Sequence, residues 1–181
     1  EKYGCSSFEE VRGKFVGEKQ AKISSLVSNP SNELRTSLLG HLVSAGVCAS
    51  GGRVHNNVGD IEDKLDFTSK YSVGMAFENL SRKSYITEKI YEVLAVNAVP
   101  FYWGAVDIAE EFNPESYIRF DQTNNNTAHK SYEDMLSLLT DSVRLGKMTK
   151  IDPISGFRSE NYIRNGKQMM KDFLTEMIGV K

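Results

Sequence analysis

Residues 69–104 read SKYSVGMAFENLSRKSYITEKIYEVLAVNAVPFYWG. The order is apolar run, polar loop, amphipathic run, second apolar run, glycine. Val73, Met75 and Phe77 belong to a predicted strand over residues 73–77. Ile86, Ile90, Val93 and Leu94 fall on one stripe of a predicted helix over residues 86–96. Residues 99–103 form the next predicted strand, closed by Gly104. Strand, helix and strand in that succession make a strand–helix–strand unit of an open parallel sheet, whose polar loop faces the crevice where such sheets bind ligands. Lys89 stands in the first turn of the helix, where the helix dipole disfavours a cation. Beside the free N–H groups of a helix start, a lysine suits an arriving anion such as a phosphate.

The same alternation extends outward. Residues 22–27 read as a strand, and Asn29-Pro30-Ser31 opens a helix with Leu34, Leu38, Leu39 and Leu42 on one face, stopped at Ala45-Gly46. Residues 47–49 are a short strand, 50–59 a glycine- and asparagine-rich loop, and 61–71 a helix. Further on, the pattern predicts a short helix over 106–112, a strand over 117–120, a polar loop over 122–130, and helices over 132–145 and 162–178. Strands alternating with helices predict an α/β fold, an open parallel sheet with helices on both faces. Residues 1–20 are weakly patterned and read as a linker or a peripheral helix; residues 21–181 form the domain.

The chain has 181 residues, 40% hydrophobic and 25% charged, which is ordinary for one globular domain. A net charge of −2 offers no field to recruit nucleic acid or anionic membrane. The two cysteines, Cys5 and Cys48, make no disulfide framework. His41, His55, His129 and Cys48 do not have the spacing of a metal site, so none is expected. Asp60-Ile61-Glu62-Asp63 reads as a helix start favoured by the dipole. Phe101, Tyr102 and Trp103 read as core.

Five stretches together resemble the C-terminal half of the α-1,3-fucosyltransferases of glycosyltransferase family 10. These are SLVSNP (25–30), SGGRVHNN (50–57), FEN followed by Y-x-TEK-I (77–90), VPFYWG (99–104) and FNPESYI (112–118). The resemblance implies a Rossmann-like donor domain, one half of a GT-B type enzyme, and an inverting transfer of fucose from GDP-fucose to a glycan acceptor. GDP-fucose enters as substrate, with no cofactor and no catalytic metal. The general base is expected outside this chain, in an N-terminal acceptor domain, and no catalytic residue is identified here. The implied location is the cytoplasm for a bacterial or viral chain and the Golgi lumen for a full-length eukaryotic type II membrane enzyme. Two other readings remain: a non-catalytic nucleotide-sugar- or partner-binding module, and a transferase using another nucleotide sugar.

Carried onto this sequence, the resemblance makes Asn79, Tyr85, Glu88 and Lys89 donor-binding residues. A carboxylate at Glu88 accepts two ribose hydroxyls, and the Lys89 ammonium meets the diphosphate as its leaving-group charge grows. Successive helix residues point about 100° apart, so Glu88 and Lys89 are not expected to pair with each other. Glu78 is read as orienting loop groups. Arg53 is the predicted phosphate clamp, with His55 its neighbour. Members of the family carry the arginine at either place, and a plain surface arginine in a flexible loop is the competing reading. Gly51 and Gly52 are expected to let that loop approach the ligand.

Overall fold

The computed structural model describes residues 8–154. The elements run α1 (Phe8–Lys14), β1 (Gln20–Ser25), α2 (Glu33–Ser44), β2 (Cys48–Ser50), α3 (Lys64–Ser69), β3 (Tyr71–Phe77), α4 (Glu88–Ala95) and β4 (Val99–Trp103). Two 3₁₀ turns (Ile108–Glu110 and Pro114–Ser116) lead to β5 (Ile118–Arg119), α5 (Asn125–Thr140) and α6 (Ser142–Met148). The five strands form one sheet in the order β2-β1-β3-β4-β5, every pairing parallel. After β1 the chain adds β2 on one side, then returns to lay β3 on the other. The loops leaving β1 and β3 therefore diverge, and a crevice opens between them at the carboxyl ends of the strands.

Alternation along β3 sorts the core. Val73, Met75 and Phe77 face α2 and α5 through Leu39, Leu42, Met135 and Leu138. Ala76 faces the opposite layer, where Ile90, Val93 and Leu94 of α4 pack with Leu65 of α3 and Val11 of α1. Helices thus cover both faces, and β3 and β4 are buried along their whole length. Gly74 lies under α4: a Cβ there would come within 2.4 Å of Val93 Cγ2, so only glycine lets the helix settle at this depth.

Several expected boundaries move. The helix placed at 61–71 is only α3, because Asp63 caps it by accepting from Asp66 N, and Tyr71 already belongs to β3. The acidic quartet is thus, at Asp63, a helix cap. The polar stretch 122–130 is not all loop. Asn124 and Thr127 form a reciprocal capping box that starts α5 at Asn125. The helix placed at 132–145 is two helices, broken at Asp141, whose side chain accepts from Arg144 N. The helix expected at 162–178 lies outside the described residues. Cys48 is a free, buried thiol. No helix among the described residues is long and apolar enough to cross a membrane.

Candidate functional site

The crevice at the β1/β3 switch point holds a cavity of about 210 Å³. Its walls come from the end of β1 and the turn after it (Ser25, Ser28, Asn29), from Arg35, from Asn79 beyond β3, and from Glu88, Lys89 and Glu92 of α4. Among the described residues, two buried side-chain polar atoms have no hydrogen-bond partner, Ser25 Oγ and Arg35 Nε, and both residues line this cavity. Orphaned buried polar groups are costly, and these two stand together on the walls of one cavity.

Charge in the crevice is organised around Glu78. Its side chain is fully buried, and its two oxygens accept from Thr87 N at 2.8 Å and from Thr87 Oγ1 at 2.6 Å. Lys89 Nζ lies 3.3 Å from Glu78 Oε2 and donates to Thr87 Oγ1 at 2.8 Å. Thr87 is the residue before α4, yet its hydroxyl is committed to Glu78 and makes no cap to the N–H groups of the helix start. Glu78 therefore orients the loop and its lysine, as expected. Gly104 makes room for it: a Cβ there would stand 2.4 Å from Glu78 Cγ.

Lys89 also reaches Glu88 Oε1 at 3.3 Å, against the expectation that these neighbours do not pair. Their Cβ directions diverge, but the flexible lysine stem curls back, drawn by two carboxylates to one side. Lys89 keeps 24% of its side chain exposed and Glu88 48%, so both remain available. Burial opposes the charge on Glu88, but Lys89 and the residue's own backbone N–H outweigh it and hold the carboxyl below its usual range. Glu92, one turn further along α4, is 8% exposed. Its burial raises the carboxyl pKa, and Lys64 at 3.7 Å only partly opposes this.

Of the residues singled out in the sequence, Asn79, Glu88 and Lys89 line one cavity. Tyr85 is half-buried just outside it, in a loop pinned by Asp107, which accepts from Ser84 N at 2.7 Å and Ser84 Oγ at 2.9 Å. Arg53 and His55 do not line the cavity. The Arg53 side chain is exposed, and its backbone N–H donates to Ser28 Oγ at 3.3 Å. The His55 ring rests on α2, where a Cβ at Gly40 would come within 3.0 Å of Nε2. Gly52 serves backbone packing: a Cβ there would lie 2.1 Å from the Val27 carbonyl oxygen. That closeness is to the chain's own β1 extension, a different reason for glycine from the one read in the sequence. The residue that sequence reasoning missed is Arg35. It is buried with Leu39 and Leu42 at i, i+4 and i+7 of α2, and an arginine on an apolar stripe was the available signal.

A larger hollow of about 800 Å³ lies between β5, α5 and α6. None of the predicted donor-binding residues lines it, although Pro114, Glu115, Tyr117 and Ile118 of the FNPESYI stretch do, and Arg144 there is already paired in a fork with Asp134 at 2.6 and 3.0 Å. Among the described residues no cluster of three or more His, Cys, Asp or Glu could hold a metal.

A parallel sheet with a crevice at its switch point, onto which the start of α4 and its lysine open, defines an α/β domain of the Rossmann-like kind. Residues 16–143 match glycosyltransferase family 10 (fucosyltransferase), C-terminal, and the chain belongs to that family. It is 34% identical over 101 residues to the α-(1,3)-fucosyltransferase FucT of Helicobacter pylori, spanning 55% of this chain and 21% of that protein. Against α-(1,3)-fucosyltransferase B of Drosophila melanogaster it is 34% identical over 95 residues, 50% of this chain and 21% of the other. A crystal structure of an α1,3-fucosyltransferase with GDP-fucose superposes with a TM-score of 0.70 at 24% identity, over 85% of this chain and 48% of that one. The same enzyme class with GDP gives 0.71 over 90% of this chain. These likenesses establish the fold as that of one Rossmann-like half of those GT-B structures. The matched part amounts to about a fifth of the curated relatives' length, 21% in both.

Proposed function

We propose that this chain is the donor-binding domain of an inverting fucosyltransferase and that it holds GDP-fucose in the β1/β3 crevice. The observation that carries the reading is Lys89: a cation at the start of α4, held by Glu78, Thr87 and Glu88, against the dipole's preference but toward an open crevice. Solved relatives of the same fold are described with GDP-fucose and with GDP, which supports the choice of donor. In the reaction an acceptor hydroxyl attacks the anomeric carbon, the bond to the phosphate oxygen breaks, and the acceptor proton goes to a general base. The residues here bind and orient. Glu88 accepts the ribose hydroxyls, and Lys89 meets the diphosphate charge as it grows toward departure. Asn79 and Tyr85 supply hydrogen bonds to the nucleotide. Arg53, exposed in the loop after β2 with its backbone N–H on Ser28 Oγ, would reach the phosphates from that loop, with His55 nearby in sequence.

A thermal-shift panel of GDP-, UDP- and dTDP-sugars tests this directly. A ligand that binds only the native state stabilises by RT ln(1 + [L]/Kd), about 2.7 kcal/mol at a hundredfold excess over Kd. GDP and GDP-fucose should raise the melting temperature and the others should not. A preference for UDP- or dTDP-sugars would move the chain to another donor, and silence across the panel would leave it a partner-binding module.

A further inference from the structure

Arg35 is 2% exposed, and none of the acceptors it finds is a carboxylate. Nη1 donates to Asn79 Oδ1 at 2.7 Å and to the Phe77 carbonyl at 3.2 Å, and Nη2 donates to the Asn29 carbonyl at 2.7 Å. Nε has no partner. Burial lowers the pKa of the group, and the fields of Glu78 and Tyr85 draw it back. Asn29 lies in the turn after β1, while Phe77 and Asn79 lie at the end of β3. One buried guanidinium therefore ties both walls of the crevice. A guanidinium can only donate, so the amide beside it must present its oxygen and turn its Nδ2 donors away. Those donors have no protein acceptor among the described residues. The Asn79 backbone carbonyl is held separately, by Asn32 Nδ2 at 3.1 Å.

We propose that Arg35 is a positioning residue of this site: it fixes the Asn79 amide so that Nδ2 faces the crevice, ready for an acceptor oxygen of a nucleotide, phosphoryl or carbonyl. The proposal rests on the donor-binding reading for its ligand but not for its geometry. Lysine cannot replace the arginine here, because a compact ammonium does not span three acceptors set around a planar fork.

The test uses the 181-residue chain in two arms. In the first, NMR without ligand follows the Asn79 side-chain amide. Its two proton resonances should be sharp and distinct in the wild type and should shift or broaden by exchange in Arg35→Lys. Unchanged resonances would overturn the proposal. In the second, calorimetry with GDP follows a double-mutant cycle. Asn79→Ala and Arg35→Lys should each weaken binding about tenfold, the upper end of one lost neutral hydrogen bond. The double variant should bind no worse than the weaker single one, whereas additive losses would mean that Arg35 does not act through Asn79. Should Arg35→Lys fail to fold, Asn79→Asp decides. It keeps an oxygen for Arg35 and removes the donors, so it should fold as the wild type does and bind GDP at least tenfold more weakly, about one lost donor's worth. Wild-type affinity in Asn79→Asp would refute the role. If the wild type binds no GDP at all, the proposed function fails, and the ligand-free amide signal still judges Arg35.

Discussion

Glu78 has both oxygens answered by Thr87 and its charge answered by Lys89 at 3.3 Å. Lys89→Ala thus does two things. It should weaken GDP binding by about 1.5–3 kcal/mol, one charge-assisted contact. It should also lower stability by about 1–3 kcal/mol, since it leaves a buried carboxylate without its cation. From the helix dipole alone the stability cost would be near zero, and the buried partner reverses that expectation. Glu78→Gln in the same chain should restore much of the stability and none of the affinity, by chemical denaturation and calorimetry respectively. Glu92 gives a pH test. Its folded pKa is raised above the usual 4.5, so the folded state holds the proton more tightly than the unfolded one. The stability tied to that proton is present at low pH and lost as pH rises through the raised value. Glu92→Gln should therefore be more stable than the wild type at neutral pH, and the gap should close below about the ordinary carboxylate range. A less stable Glu92→Gln at neutral pH would show that the pairing with Lys64 outweighs the burial.

Element by element, the chain shows its strands more openly than its helix ends. β4 falls where the VPFYW run puts it, because a strand buried on both faces is written as an unbroken apolar stretch. α3 and α5 were misjudged at their starts for the same reason: a cap is a local hydrogen bond, made by Asp63 in one and by Asn124 with Thr127 in the other, and hydrophobic period carries no trace of it. The site was legible where it coincides with one continuous motif, so Asn79, Glu88 and Lys89 converge. Arg35 was not, since its partners lie at Asn29, Phe77 and Asn79, and only the fold brings them together. Gly74 shows what α4 needs in order to present Lys89. Gly74→Ala would drive a methyl into Val93 and should cost about 1–3 kcal/mol by overpacking. Val93→Ala added to it should recover part of the loss. If Gly74→Ala alone melts with the wild type, the helix does not sit as tightly on β3 as described.

At the scale of the whole molecule, the proposed function assigns donor binding to this chain and the general base elsewhere. Among the described residues, the carboxylates around the crevice already have cations: Glu78 and Glu88 share Lys89, and Glu92 has Lys64. A general base works best with a pKa near the operating pH and a free path to the acceptor proton. Lys89 holds Glu88 below its usual range against the pull of burial, and Glu92, although raised, is 8% exposed on the inner face of α4. Neither suits the task. The 181-residue chain should therefore bind GDP or GDP-fucose without added divalent metal and transfer almost no fucose to an N-acetyllactosamine-type acceptor. Lost general-base assistance alone is worth ~10²–10⁴-fold in rate, and lost acceptor positioning adds to it. The measurement is transfer of radiolabelled fucose at saturating donor, with Glu92→Gln in parallel. Robust transfer by the wild type would refute this division of labour, and its loss in Glu92→Gln would then identify Glu92 as the base.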